Sequence, residues 1–203
     1  DFDKVVHREK ETIMKILVVD DNPLNLQAAQ LLLAKHVVTT IDNYDDAKKL
    51  ISKNATINRK EWKVTYKRPD FDVALIDLFL PSSANHLMGE GLMFTGEQMP
   101  VGIFLALLAA QNMFPYVAVF TNHNHHRHPA SACIDDLNPL DQMEPSILNM
   151  NSSKLMMANS AEWLDQRDPN DLSRTIDIQE KINREDLVEV KNWKIVLDYL
   201  LEH

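Results

Sequence analysis

Three stretches of the chain end in side chains suited to a phosphoryl group or a hard cation. Asp20 and Asp21 follow the apolar run Ile16-Leu17-Val18-Val19, Asp77 follows Phe71 to Ile76, and Thr121 follows Tyr116 to Phe120. If these runs are neighbouring parallel strands, their C-terminal ends share one edge, which is where open parallel sheets bind ligands. Carboxylates crowded there repel one another and raise each other's pKa. A hard divalent cation resolves the repulsion, and oxygen-only ligands favour Mg²⁺ over softer metals. An aspartate held beside Mg²⁺ is a plausible nucleophile toward a phosphoryl group, giving an aspartyl-phosphate. The cation and nearby donors then neutralise charge on the transferring oxygens. A single strand-end aspartate is commonly a cap or turn former. Asp-Asp, Asp and Thr on three strand ends form a more specific set.

A second constellation is softer. His123, His125, His126 and His128 supply four of the chain's eight histidines just after the Tyr116–Phe120 run. Imidazole binds zinc, copper, nickel and iron. A mixed site with Asp20, Asp21 or Asp77 could hold a transition metal instead of Mg²⁺. The plainer alternative is that these histidines are solvated or bond loop backbone. Gly89-Glu90-Gly91 with Gly96 is not a phosphate loop, because no Gly-Lys-Ser/Thr follows. Cys133 reads as a small packing residue, since nothing nearby completes a triad.

The elements that position these residues follow from periodicity. The short apolar runs suit strands buried on both faces, the parallel-sheet pattern. Pro23 suits a first helical turn, and Leu24, Ala28, Leu31 and Leu32 recur at helical spacing to Lys35. Val37 to Ile41 reads as a strand, with Asn43 capping a helix from Tyr44 to about Ser52. Val101 to Ala110 reads as an apolar helix and Lys154 to Ala158 as a weaker fifth strand. The last helix is expected over about Glu185 to Leu201, with Val190, Trp193, Val196, Leu197 and Leu200 on one stripe. Residues 53–70, 82–100 and 161–184 read as insertions or long connections. Strands alternating with helices predict an α/β fold with right-handed crossovers.

Lys15 to Pro23 and Phe71 to Pro81 resemble the opening and the phosphorylation strand of response-regulator receiver domains. The resemblance covers about 14–160 and the last helix. It implies a doubly wound, five-stranded parallel sheet, flavodoxin-like, of order 2-1-3-4-5, with helices on both faces. It also implies Mg²⁺ held directly by Asp21 and Asp77 and through water by Asp20, with the Phe79 carbonyl as a further ligand. Asp77 becomes the phospho-acceptor, and Thr121 the hydroxyl that follows the phosphoryl group. The sequence departs from the family at the end of the fifth strand, where Asn159 and Ser160 stand in place of a lysine and a proline. Asn159 brings a hydrogen-bond donor without charge. Met156 stands where a switch aromatic is expected.

The implied function is a stand-alone signalling domain, phosphorylated by a histidine kinase or phosphotransfer protein and read by a downstream protein partner. The alternative is a pseudo-receiver, a binding or scaffold module without phosphotransfer. A metal-dependent hydrolase built from the carboxylates and histidines ranks last, because no nucleophile or pocket is identifiable. Residues 161–203 suffice for a connection and a helix, so no output domain is expected within them. Residues 1–13 are set aside as an N-terminal extension, leaving one domain over 14–203. A net charge of -9 argues against a nucleic-acid partner. No apolar run spans a membrane. With a single cysteine no intramolecular disulfide can form, and the cytoplasm is the expected compartment. The apolar 101–110 helix also offers a homodimer face.

Overall fold

A computed structural model describes residues 12–123, 128–137 and 144–203. Its strands are β1 (Lys15–Val19), β2 (Val37–Ile41), β3 (Ala55–Asn58), β4 (Lys63–Tyr66), β5 (Val73–Asp77), β6 (Leu80–Pro81), β7 (Gln98–Met99), β8 (Tyr116–Thr121), β9 (Ser146–Met150), β10 (Ser153–Asn159), β11 (Leu164–Arg167) and β12 (Val188–Lys191). The helices are α1 (Pro23–Leu32), α2 (Tyr44–Ser52), α3 (Gly102–Gln111), α4 (Pro129–Asp135), α5 (Ile178–Asn183) and α6 (Trp193–Glu202).

The main sheet is mixed and six-stranded, in the order β2-β1-β5-β8-β10-β9. β2, β1, β5, β8 and β10 are parallel, and β9 pairs antiparallel with β10 at the edge. The expectation of a purely parallel, five-stranded sheet is thereby corrected. Asn151 adopts a positive φ of 57° in the tight link that returns β9 onto β10 and adds the sixth strand.

The apolar strands sort their side chains by parity, as a pleated strand must. Leu17, Val19, Ala74 and Ile76 join α2 and α3 on one face. Ile16, Val18, Val73 and Leu75 join Ala29, Leu33 and the α6 residues Val196, Leu197 and Leu200 on the other. Burial on both faces explains why these strands read as continuous apolar runs. Local caps set the helix starts: the Asn22 side chain accepts from Leu24 N–H before Pro23, and Asn43 accepts from Asp46 N–H.

Two other expectations change. Residues 53–70 contain the antiparallel hairpin β3–β4, registered Ala55 to Tyr66 and Asn58 to Lys63. The last helix starts at Trp193, not near Glu185, because Val188–Lys191 pairs antiparallel with Leu164–Arg167. Val190 accordingly leaves the helical stripe and packs with Ala28 and Leu172. Its burial satisfies a helical spacing by coincidence: Val188-Glu189-Val190-Lys191 also carries the period of two that a strand requires. Among the described residues, no helix is long and apolar enough to cross a membrane.

Candidate acceptor site at the sheet edge

β1 and β5 are adjacent and in register from Ile16–Val73 to Val19–Ile76, so Asp20 and Asp77 emerge side by side. Asp20, Asp21 and Asp77 each offer an oxygen within 4.8 Å of the others. β8 lies next to β5 and ends in Thr121, which is fully buried. The Thr121 hydroxyl oxygen accepts from His123 N–H at 3.1 Å.

Between the two inner carboxylates stands a cation that the sequence reading did not assign. Lys191 Nζ is 2.8 Å from Asp20 Oδ2 and 2.7 Å from Asp77 Oδ1, with the lysine side chain 1 % exposed. It arrives from β12, outside the main sheet, immediately before α6. Asn159 does lie at the end of β10, opposite Thr121, but its Nδ2 is buried without a hydrogen-bond partner. The ammonium beside Asp77 thus comes from β12 and not from the end of β10. Lys154 sits at the far end of β10, over the Tyr116 ring. Met156 is fully buried in the apolar core.

Asn25 was also not legible as a site residue. Its Nδ2 donates to both Asp20 oxygens at 3.1 and 3.0 Å, while its Oδ1 accepts from Lys191 N–H at 3.0 Å. Its own carbonyl accepts from the Trp193 indole N–H at 3.2 Å. One buried asparagine on α1 thus ties β1, β12 and α6 together. Such networks are stabilising when every member is satisfied and costly when one is removed.

Burial pushes the Asp77 carboxyl up to about 7, and Asp20 adds to the rise, while Lys191 works against it. Burial pulls the Lys191 ammonium down, but Asp77 and Asp20 together hold it above the ordinary lysine value. His123 is lowered by desolvation, with Lys191 and His128 contributing.

α3 approaches the site closely. Gly102 N–H donates to Leu78 O at 2.9 Å. A Cβ built on Gly102 would lie 1.8 Å from Asp77 O, so only glycine fits there.

The histidines divide. His125 and His126 lie outside the described residues. His123 and His128 flank the Phe79 ring, each with a centroid separation of 4.4 Å. His128 caps α4, its Nδ1 accepting from Ala130 N–H at 3.1 Å. Phe79 itself is buried, and its N–H donates to Asp77 Oδ1 at 3.4 Å. Among the described residues, Asp20, Asp21 and Asp77 are the only grouping of three or more His, Cys, Asp or Glu residues placed to share an ion.

No family model matches the sequence, and no curated protein matches it. Two similar solved structures are receiver domains. The BeF3-activated DrrB receiver domain is 16% identical with a TM-score of 0.34, over 56% of this chain and 69% of that one. The isolated REC domain of RcsB from Salmonella enterica serovar Typhimurium, with the phosphomimetic BeF3-, is 19% identical with a TM-score of 0.32, over 61% of this chain and 72% of that one.

Proposed function

We propose that the chain is a receiver-like signalling domain of flavodoxin-like type that accepts a phosphoryl group on Asp77. The observation that carries this reading is the Lys191 ammonium, 2.7 Å from Asp77 Oδ1 in a carboxylate set whose inner members are buried, on the strand next to the one that ends in Thr121. Lys191 and the Phe79 N–H both engage Oδ1, so Oδ2 is assigned as the nucleophile. It forms the new O–P bond as the bond from phosphorus to the donor's imidazole nitrogen or acyl oxygen breaks, and the electron pair leaves with the donor. The Lys191 ammonium would pair with a phosphoryl oxygen, a charge-assisted contact. Thr121, at the end of the neighbouring strand β8, would be the hydroxyl residue that follows the phosphoryl group.

The donor set fits Mg²⁺. One ammonium offsets one of three carboxylates, so a dication would bring the ionised set to neutrality. Asp21 and Asp77, with the Phe79 carbonyl, are the residues that would hold the ion. The oxygens of Asp20 are already engaged by Asn22, Asn25 and Lys191, which suits contact through water. A bound dication would stabilise the ionised form of Asp77 and the charge on the transferring oxygens.

The test is intact-mass spectrometry after incubation with a small acyl phosphate and Mg²⁺, beside Asp77→Asn. One added phosphoryl group, absent from the variant, supports the reading. The second reading, a constitutive binding module, is favoured by the buried Met156 at the switch position. Mg²⁺ binding without a mass gain would select it.

A further inference from the structure

Asp21 is the half-buried member of the carboxylate set, and its partner comes from far along the chain. Gln98 Nε2 donates to Asp21 Oδ2 at 2.5 Å. Gln98 belongs to the excursion between β5 and α3, which reads from sequence as a loop of flexible points.

The path of that excursion explains how Gln98 reaches the site. The chain leaves Asp77, runs out through β6, and returns through β7 to Gly102, which is packed on Asp77. In the antiparallel register Leu80 faces Met99 and Pro81 faces Gln98. Two bonds of 2.9 Å close the excursion on itself, from Ser82 N–H to Glu97 O and from Gly96 N–H to Ser82 O. Gly96 takes a φ of 83°, a conformation natural to glycine. At its other side the excursion is tied to α2. Asp45 Oδ2 accepts from Ser83 Oγ and Asn85 Nδ2, each at 2.6 Å, and His86 Nε2 lies 3.0 Å from Asp45 Oδ1. The backbone that carries Gln98 is therefore fixed from several directions.

We propose that Gln98 is a positioning residue of the cation site and that the 80–99 excursion is a structural part of the acceptor centre. This inference rests on the acceptor reading above. A half-exposed aspartate that must ligate an ion loses rotamer freedom when it does so. An amide held on one oxygen orients the carboxylate beforehand and leaves the other oxygen for the ion. Outer partners of this kind are typically worth ~10–100-fold in metal affinity. Gln98 is exposed and outside both apolar cores, so removing its amide leaves the packing intact.

The experiment is calorimetric titration of the full chain and of Gln98→Met with MgCl₂, with thermal midpoints recorded in a chelator. Methionine keeps the side-chain length and removes the donor. The expected result is a Kd for Mg²⁺ raised about tenfold or more, with the chelator midpoint unchanged. An equal or lower Kd in Gln98→Met overturns the proposal, as does a Kd rise matched by a fall in the chelator midpoint. A phosphoryl mass gain on Asp77 with equal Kd values sinks the positioning role alone. No Mg²⁺ binding by either protein, together with no mass gain, sinks the acceptor reading and this inference with it.

Discussion

Removing the Lys191 ammonium would leave Asp20 and Asp77, both buried, without the charge that stands between them. Breaking a buried pair by deleting one partner costs about 3–5 kcal/mol, because the survivor stays desolvated. Lys191→Met should therefore lower stability by that order at pH 8, read from urea midpoints, and should also lower acceptor labelling. Asp77→Asn combined with Lys191→Met should recover part of the loss, since one uncompensated carboxylate is gone. At this scale the carboxylates and Thr121 were legible because each directly ends an apolar strand. Lys191 was not legible, because what places it is a pairing between β11 and β12 that no local spacing announces. A signal did exist: Val188-Glu189-Val190-Lys191 alternates, and Asn192 caps α6 by accepting from Ile195 N–H. A strand ending in lysine directly before the last helix was there to be read. Asn25 and Gln98 are plain polar residues in sequence, and only the fold gives them partners.

At the scale of elements, the joint between β5 and α3 is the tightest feature near the site. Gly102→Ala would force a methyl group against the backbone oxygen of Asp77 itself. Overpacking costs typically ~1–3 kcal/mol, and the upper end is expected here, because the clashing atoms are backbone and cannot swing away. Chemical denaturation checks it, and acceptor labelling should fall in the same variant. The segment between β10 and α6 is held differently. Arg184 reaches Asp168 at 2.7 Å, Glu180 at 3.1 Å and Asp186 at 2.5 Å. The Arg184 hydrogen bond, with Asn170 N–H, lowers the Asp168 carboxyl to about 2. A lowered carboxyl stabilises the fold above its ordinary value near ~3.9, and that contribution is lost as pH falls toward 2. Carboxyl NMR titration of Arg184→Ala should show Asp168 moving up toward the ordinary value. The inner parallel strands β1, β5 and β8 could be anticipated because burial on both faces leaves a continuous apolar signature. The hairpin β3–β4, the edge strand β9 and the β11–β12 pair could not. Their strands are short and half-exposed, and their apolar residues fit more than one period.

For the molecule as a whole, the raised Asp77 carboxyl predicts that the carboxylate site and the stability of the fold are coupled through one proton. Asp77 ends β5, the strand whose residues feed both apolar cores, and burial raises its carboxyl to about 7. An unfolded aspartate titrates near ~3.9. Between those values the folded chain holds a proton that the unfolded chain has released. Stability from this group is therefore full below the unfolded value and is lost as pH rises through about 7. Without divalent cations, the denaturation midpoint should fall between pH 5 and pH 8, and Asp77→Asn should flatten that part of the profile. The difference between the two proteins isolates the group, because the other titrating residues are common to both. Saturating Mg²⁺ should reverse the trend, since an ion held by Asp21 and Asp77 favours the ionised carboxyl and binds the folded state alone. A wild-type profile that matches Asp77→Asn from pH 5 to pH 8, with and without Mg²⁺, would mean that burial of Asp77 places no proton on it. The acceptor would then be ionised and ready across the physiological range.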